Sequence, residues 1–115
     1  LAGDLDGDGD TNDNVLANAL AALDVGQPEL FWVHFHGIDD AGHSYGPGAP
    51  EEAAAVAEVD AAVGRILERL EARTVVILFA DHGQHLVEGD ASQLGNHGNL
   101  VARDMLVPIW VTVVE

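Results

Sequence analysis

A chain of 115 residues, 48% of them hydrophobic, is long enough for one domain with a modest core. Its 20 acidic residues against four basic ones give a formal charge of −16, which disfavours contact with a nucleic-acid backbone and favours metal cations as partners. There is no cysteine, which excludes a disulfide framework and a thiolate metal site, so a bound metal must be held by histidine and carboxylate.

The chain starts at Leu1 rather than Met, as expected of a processed or excised piece of something longer. Its first residues lack the charged-then-apolar layout of a secretion signal, and no apolar run is long enough to span a membrane. Residues 1–14 have little to bury: Asp4, Asp6, Asp8, Asp10 and Asp13 are interspersed with Gly and Asn. Asp4, Asp6, Asp8, Gly9, Asp10 and Asn12 fit the early positions of an EF-hand calcium loop, but Val15 stands where a closing Glu belongs. A flexible acidic arm ahead of a single domain over 15–115 is the expectation, and a calcium site is the alternative.

Val15, Leu16, Ala19, Leu20 and Leu23 recur at helical spacing behind a Thr-Asn-Asp cluster and ahead of Gly26, which predicts a short amphipathic helix. Residues 30–36 (LFWVHFH) are continuously apolar and aromatic and read as a strand buried on both faces. His34 and His36 share one face of that strand and are expected to be packed, hydrogen-bonded histidines, with metal ligation as the alternative, His36 being the better candidate because it lies nearer the site. Tyr45 to Pro50 is a Gly/Pro-rich loop. Pro50, Glu51 and Glu52 then open a long helix whose apolar face is Val56, Val59, Val63, Ile66, Leu67 and Leu70, with Arg69 and Arg73 at its far end. Residues 74–80 form a second buried strand and 106–114 a third, with Pro108 at its start or on an edge. The order helix, strand, helix, strand, loop, strand predicts an α/β domain with helices flanking a mostly parallel sheet.

Ligand sites in open α/β sheets gather at the carboxyl ends of strands, and two such ends here carry an Asp and a His. Asp39 and His43 follow the first strand on what reads as a loop, where Gly42 lets the chain double back and bring both to one ion. Asp81 and His82 follow the second strand; as neighbours they cannot easily share one ion, so either they serve two adjacent ions or one of them supports a ligand without touching metal. His97, between Asn96 and Gly98, is the natural third ligand. Each residue alone reads as a cap or a surface side chain. Together they point to an oxygen and nitrogen metal site.

The ordered set D-x-x-G-H with Y-G-P (Asp39 to Pro47), the V-D of the long helix (Val59, Asp60), A-D-H-G (Ala80 to Gly83), and G-N-H-G (Gly95 to Gly98) followed by V-P (Val107, Pro108) resembles the metal-binding half of the alkaline phosphatase superfamily. The nearest branch is the type I phosphodiesterase/nucleotide pyrophosphatase group, and the resemblance covers about residues 30–111. The short gap between the last two motifs is more like the ethanolamine phosphate transferases of that superfamily. The resemblance implies a partial alkaline-phosphatase-like fold. It makes Asp39, His43 and His97 the protein ligands of one zinc, and Asp81 and His82 half the ligands of a second. The other half, an Asp and a nucleophilic Thr or Ser, lies upstream in the family. None of Thr11, Ser44, Thr74, Ser92 and Thr112 stands in that nucleophile's context. The function expected is therefore the zinc-binding portion of a phosphodiesterase-type or phosphatase-type metallohydrolase acting on phosphate esters. The alternative is a free-standing module that holds metal, and phosphate through it, without turnover. As a free-standing chain, its apolar strand edges predict a homo-oligomer, most simply a symmetric dimer.

Overall fold

The structure, a computed structural model, describes residues 10–89 and 92–115. Asp4, Asp6 and Asp8 of the acidic arm lie outside the described residues. Four helices and four short strands follow in the order α1 (Asn12–Val25), α2 (Gly37–Tyr45), α3 (Pro50–Leu67), β1 (Val75–Phe79), β2 (His85–Leu86), β3 (Gly95–Asn96), α4 (Ala102–Met105) and β4 (Ile109–Val113).

Helix α1 takes the predicted place. The Asp10 carboxylate accepts the Asn12 N–H at 2.7 Å, which satisfies one of the free donors of the first turn. Helix α3 opens with Pro50 at its first position, and the Glu52 carboxylate reaches back to accept the Gly48 N–H at 2.6 Å. It ends at Leu67, short of the predicted Leu70, and the chain turns through residues 68–70. There Arg69 pairs with Asp24 in the last turn of α1, which ties the two helix ends together.

Helix α2 occupies a stretch expected to be a loop. Asp39 and Asp40 lie in its first turn, where carboxylates complement the helix dipole. Asn12 Oδ1 accepts the N–H of Gly37, the first helical residue, at 3.1 Å, while its Nδ2 donates to Glu58 of α3 at 3.3 Å. One buried side chain thus links α1, α2 and α3. The helices meet through small residues: Ala19, Ala41 and Ala62 are buried with Ile66, and they are the buried hydrophobic residues of the described chain.

The mostly parallel sheet is not formed. Both described ladders are antiparallel: β1 pairs with β4, from Val75 opposite Val113 to Phe79 opposite Ile109, and β2 pairs with β3. The connectivity gives the reason. β4 starts at the carboxyl end of β1, with Ile109 opposite Phe79, and so must run back. Pro108 stands just ahead of β4, where its missing donor costs nothing. Residues 30–36 make no ladder; they lie beside β1, with Trp32 edge-on to Phe79 at a centroid separation of 5.5 Å. Nor are the strands buried on both faces. All five residues of β4 are exposed, Trp110 to 62%, because no described layer covers the two-stranded sheet. His34 and His36 are likewise exposed rather than packed.

Candidate metal centre

Helix α2 does what the expected loop was to do, by a different route. Asp39 and His43 are four residues apart on a helix and so share one face. The second element of the site is the β2–β3 hairpin, which carries His97 immediately after β3. It is seated on the end of α2 by backbone contacts: Leu94 N–H donates to the His43 carbonyl at 2.8 Å, and Gly95 lies so close that a β carbon there would stand 2.2 Å from the Gly42 carbonyl oxygen. Only glycine fits that joint. The third element is the loop after β1, with Asp81 and His82.

Asp39, His43 and His97 each offer one ligand atom such that all three lie within 4.8 Å of one another. His43 Nε2 is 3.4 Å from Asp39 Oδ2, and His97 Nε2 is 3.6 Å from Asp39 Oδ1. These separations exceed a good N–H···O hydrogen bond, about 2.7–3.2 Å. They leave room instead for an ion with donor distances of about 2.0–2.1 Å, with the two imidazoles approaching the two oxygens of one carboxylate. The imidazoles are also presented correctly. His43 Nδ1–H donates to the Gly95 carbonyl at 2.7 Å, which leaves the Nε2 lone pair facing Asp39. His82 Nδ1–H is similarly placed on the Gly83 carbonyl at 3.1 Å. The donor set and its orientation fit a first-row divalent metal.

His82 lies between the two expected sites. Its Nε2 is 3.7 Å from Asp81 Oδ1 and 3.9 Å from Asp39 Oδ1, and its ring stacks on that of His97 with centroids 3.7 Å apart. Asp81 is the outermost member: its side chain is 60% exposed, against 16% for Asp39, and its other oxygen faces His34 Nε2 at 3.7 Å. His36 Nε2 faces Asp40 at 3.3 Å and Asp39 at 3.7 Å, so His36, Asp39 and Asp40 form a second, more exposed group of metal-ligating spacing.

Several residues of the site escaped the sequence reading. The Gln84 side-chain amide donates to both the carbonyl and the Oδ1 carboxylate oxygen of Asp39 and fixes the carboxylate plane. Its own Oε1 is buried against Gly42 with no hydrogen-bond partner. Next to it, His85 Nδ1 lies 2.8 Å from Oδ1 of the buried Asp104. Burial acts to raise the Asp104 pKa, but the hydrogen bonds from His85 and the Asn99 N–H, with the positive potential of His85 and His97, outweigh it and hold the carboxyl below its ordinary value. Neither residue had a sequence signal beyond its type: Asp104 sits in a four-residue helix, and His85 sits just past the A-D-H-G motif.

Residues 2–113 match the family described as type I phosphodiesterase / nucleotide pyrophosphatase. The chain belongs to that family. It is thereby placed in the alkaline phosphatase-like superfamily. Its relatives include the human GPI ethanolamine phosphate transferase 3, catalytic subunit, 36% identical over 75 residues, which cover 64% of this chain but 7% of the transferase. Human ectonucleotide pyrophosphatase/phosphodiesterase family member 7 is 33% identical over 85 residues, 67% of this chain and 19% of that protein. The chain thus spans less than a fifth of the length of these relatives. No solved structure gives a match. Among the described residues, no helix is long and apolar enough to cross a membrane.

Proposed function

We propose that this chain is the metal-binding portion of a phosphoric ester hydrolase or phosphoryl transferase, and that Asp39, His43 and His97 hold one zinc. The convergence of one carboxylate and two imidazoles, with a ligand atom of each within 4.8 Å of the others, carries the reading. In this reading Asp81 and His82 supply part of a second site, with His82 turned between the two. Zinc bound there supplies Lewis-acid stabilisation of the charge that develops on phosphoryl oxygens.

What the chain's own residues do follows from their placement. Asp39 neutralises charge at the centre and is oriented by Gln84. His43 is held in one tautomer by the Gly95 carbonyl. The exposed edge formed by Asp81, His34 and His36 leaves an open side by which a phosphate ester approaches. No hydroxyl nucleophile is assigned within the chain: Thr74 Oγ1 is committed to the Glu71 carbonyl and the Gln27 side chain, Ser44 lies on an exposed face of α2, and Thr112 is in exposed β4. The isolated chain therefore binds metal, and phosphate through it, without efficient covalent turnover. Residues 12–14, expected to end the acidic arm, belong to α1, so in this reading the arm is the stretch ahead of Asn12, with a calcium site as its alternative role.

Elemental analysis of the purified chain tests the assignment. About one equivalent of zinc or another first-row metal is expected, and much less in His97→Ala. Wild-type protein without metal after zinc loading, or undiminished metal in His97→Ala, overturns it.

A further inference from the structure

Outside the ligand set, the described residue most at odds with its surroundings is Asp104. Its side chain is 1% exposed, and a carboxylate so withdrawn from water is stable only with directed partners. It has them on two sides. Oδ1 lies 2.8 Å from His85 Nδ1, and Oδ2 accepts the Asn99 N–H at 2.8 Å. Asn99 Nδ2 in turn lies 3.2 Å from His85 Nε2. With Nδ2 as donor, Nε2 is the acceptor and the imidazole proton sits on Nδ1, facing Asp104. The His85 and Asp104 side chains close a ring with Asn99, which contributes its backbone N–H and its side-chain amide.

The ring joins the segments that carry the metal ligands. Asn99 is two residues past His97, and His85 is three residues past His82 on β2, where it pairs with Asn96 of β3. The Asp104 backbone carbonyl also accepts the Gly83 N–H at 2.9 Å, one residue past His82. That approach is tight enough that a β carbon on Gly83 would stand 1.9 Å from the Arg103 carbonyl oxygen. A shift of either loop by an ångström would part the Asp104 carboxylate, itself 1% exposed, from the partners that satisfy it. The separation held in this way is the one that stacks His82 on His97 and brings both Nε2 atoms toward Asp39 Oδ1.

We propose that Asp104 and His85 are positioning residues for the metal centre: their part-buried hydrogen bond clamps the Asp81–His82 loop to the His97 loop at the separation the ligand set requires. The proposal rests on the reading of Asp39, His43 and His97 as metal ligands.

The test uses Co²⁺ as a spectroscopic probe on the full 115-residue chain, with thermal unfolding of the metal-free protein measured in parallel. Wild type is expected to bind Co²⁺ with the intense visible bands of a tetrahedral site. Asp104→Asn and His85→Ala are expected to weaken binding about 10- to 100-fold, the range for losing a partner that orients a ligand, and to change the band intensities. His85→Gln, whose amide can still donate to Asp104, is expected to recover much of the affinity that His85→Ala loses. Should Asp104→Asn fail to fold, the His85 pair decides, because that ring is partly exposed and its loss leaves no large cavity. Unchanged Co²⁺ affinity and spectrum in the folded variants overturns the clamp, even where metal-free stability falls, and leaves the metal assignment standing. Wild type that binds no Co²⁺ overturns the metal assignment, and the clamp with it.

Discussion

Replacing Gly95 by alanine tests the joint between α2 and the β2–β3 hairpin most directly. The added β carbon would lie 2.2 Å from the Gly42 carbonyl oxygen and 2.9 Å from both the Gly42 carbonyl carbon and Pro47 Cδ. A carbon and a carbonyl oxygen in contact stand about 3.3–3.6 Å apart, so the hairpin must retreat by about 1 Å. The neighbours are backbone atoms that cannot swing aside. Overpacking of this kind costs about 1–3 kcal/mol. The retreat also stretches two bonds at the joint, Leu94 N–H to His43 O at 2.8 Å and His43 Nδ1–H to Gly95 O at 2.7 Å, beyond useful range. Each is worth about 1 kcal/mol, for a total of about 3–5 kcal/mol. In a chain of this size that is a fall of about 10–20 °C in the thermal midpoint. Because the same shift separates His43 from His97, zinc affinity is expected to fall about 10- to 100-fold. Circular dichroism melts of the metal-free protein, paired with zinc titrations, measure both. Gly64→Ala is the control of opposite sign: nothing lies within 4 Å of its added β carbon in the middle of α3, so it is expected to gain up to about 1 kcal/mol. A Gly95→Ala protein that melts with wild type and binds zinc equally well would refute the reasoning.

Further outcomes are expected. Zinc at about 100 times its dissociation constant should stabilise the chain by about 2.7 kcal/mol, and a chelator should reverse this; a thermal midpoint indifferent to both would show that metal is not linked to folding. Asp104 has a folded pKa below its ordinary value, so its stabilising contribution is complete above the unfolded value of about 3.9 and is lost as pH falls through the lower folded value. The stability difference between wild type and Asp104→Asn in denaturant melts should therefore shrink below about pH 4, and a constant difference across that range would contradict the sign. The isolated chain should hydrolyse bis-p-nitrophenyl phosphate poorly, well under about one turnover per second, and a competent rate would reveal an unrecognised nucleophile. The uncovered β1–β4 sheet, with Ile77, Trp110 and Val111 all exposed, should make the isolated chain self-associate at micromolar concentration. Light scattering that shows a stable monomer with sharp amide dispersion would refute that.

The candidate ligands were legible in the sequence by itself. Asp39, His43, Asp81, His82 and His97 stand out because carboxylate and imidazole beside glycine, at the ends of apolar runs, combine metal-ligand chemistry with turn chemistry that is local. Helices α1 and α3 were legible for the same reason, since caps and apolar period are set within a few residues. What depended on distant partners was not. Residues 37–45 became a helix once Asn12, 25 residues upstream, accepted the Gly37 N–H and small residues let α3 approach. The strands run antiparallel because β4 begins opposite the end of β1, Ile109 beside Phe79, a pairing that no apolar run of five residues encodes. Gln84, His85 and Asp104 acquire roles only through contacts 19 or more residues away in the chain. Side-chain chemistry is a property of the residue and can be read from it. The separation between two candidate ligands on different segments is a property of packing, set where Gly95 meets the Gly42 carbonyl and, in our proposal, by the buried Asp104.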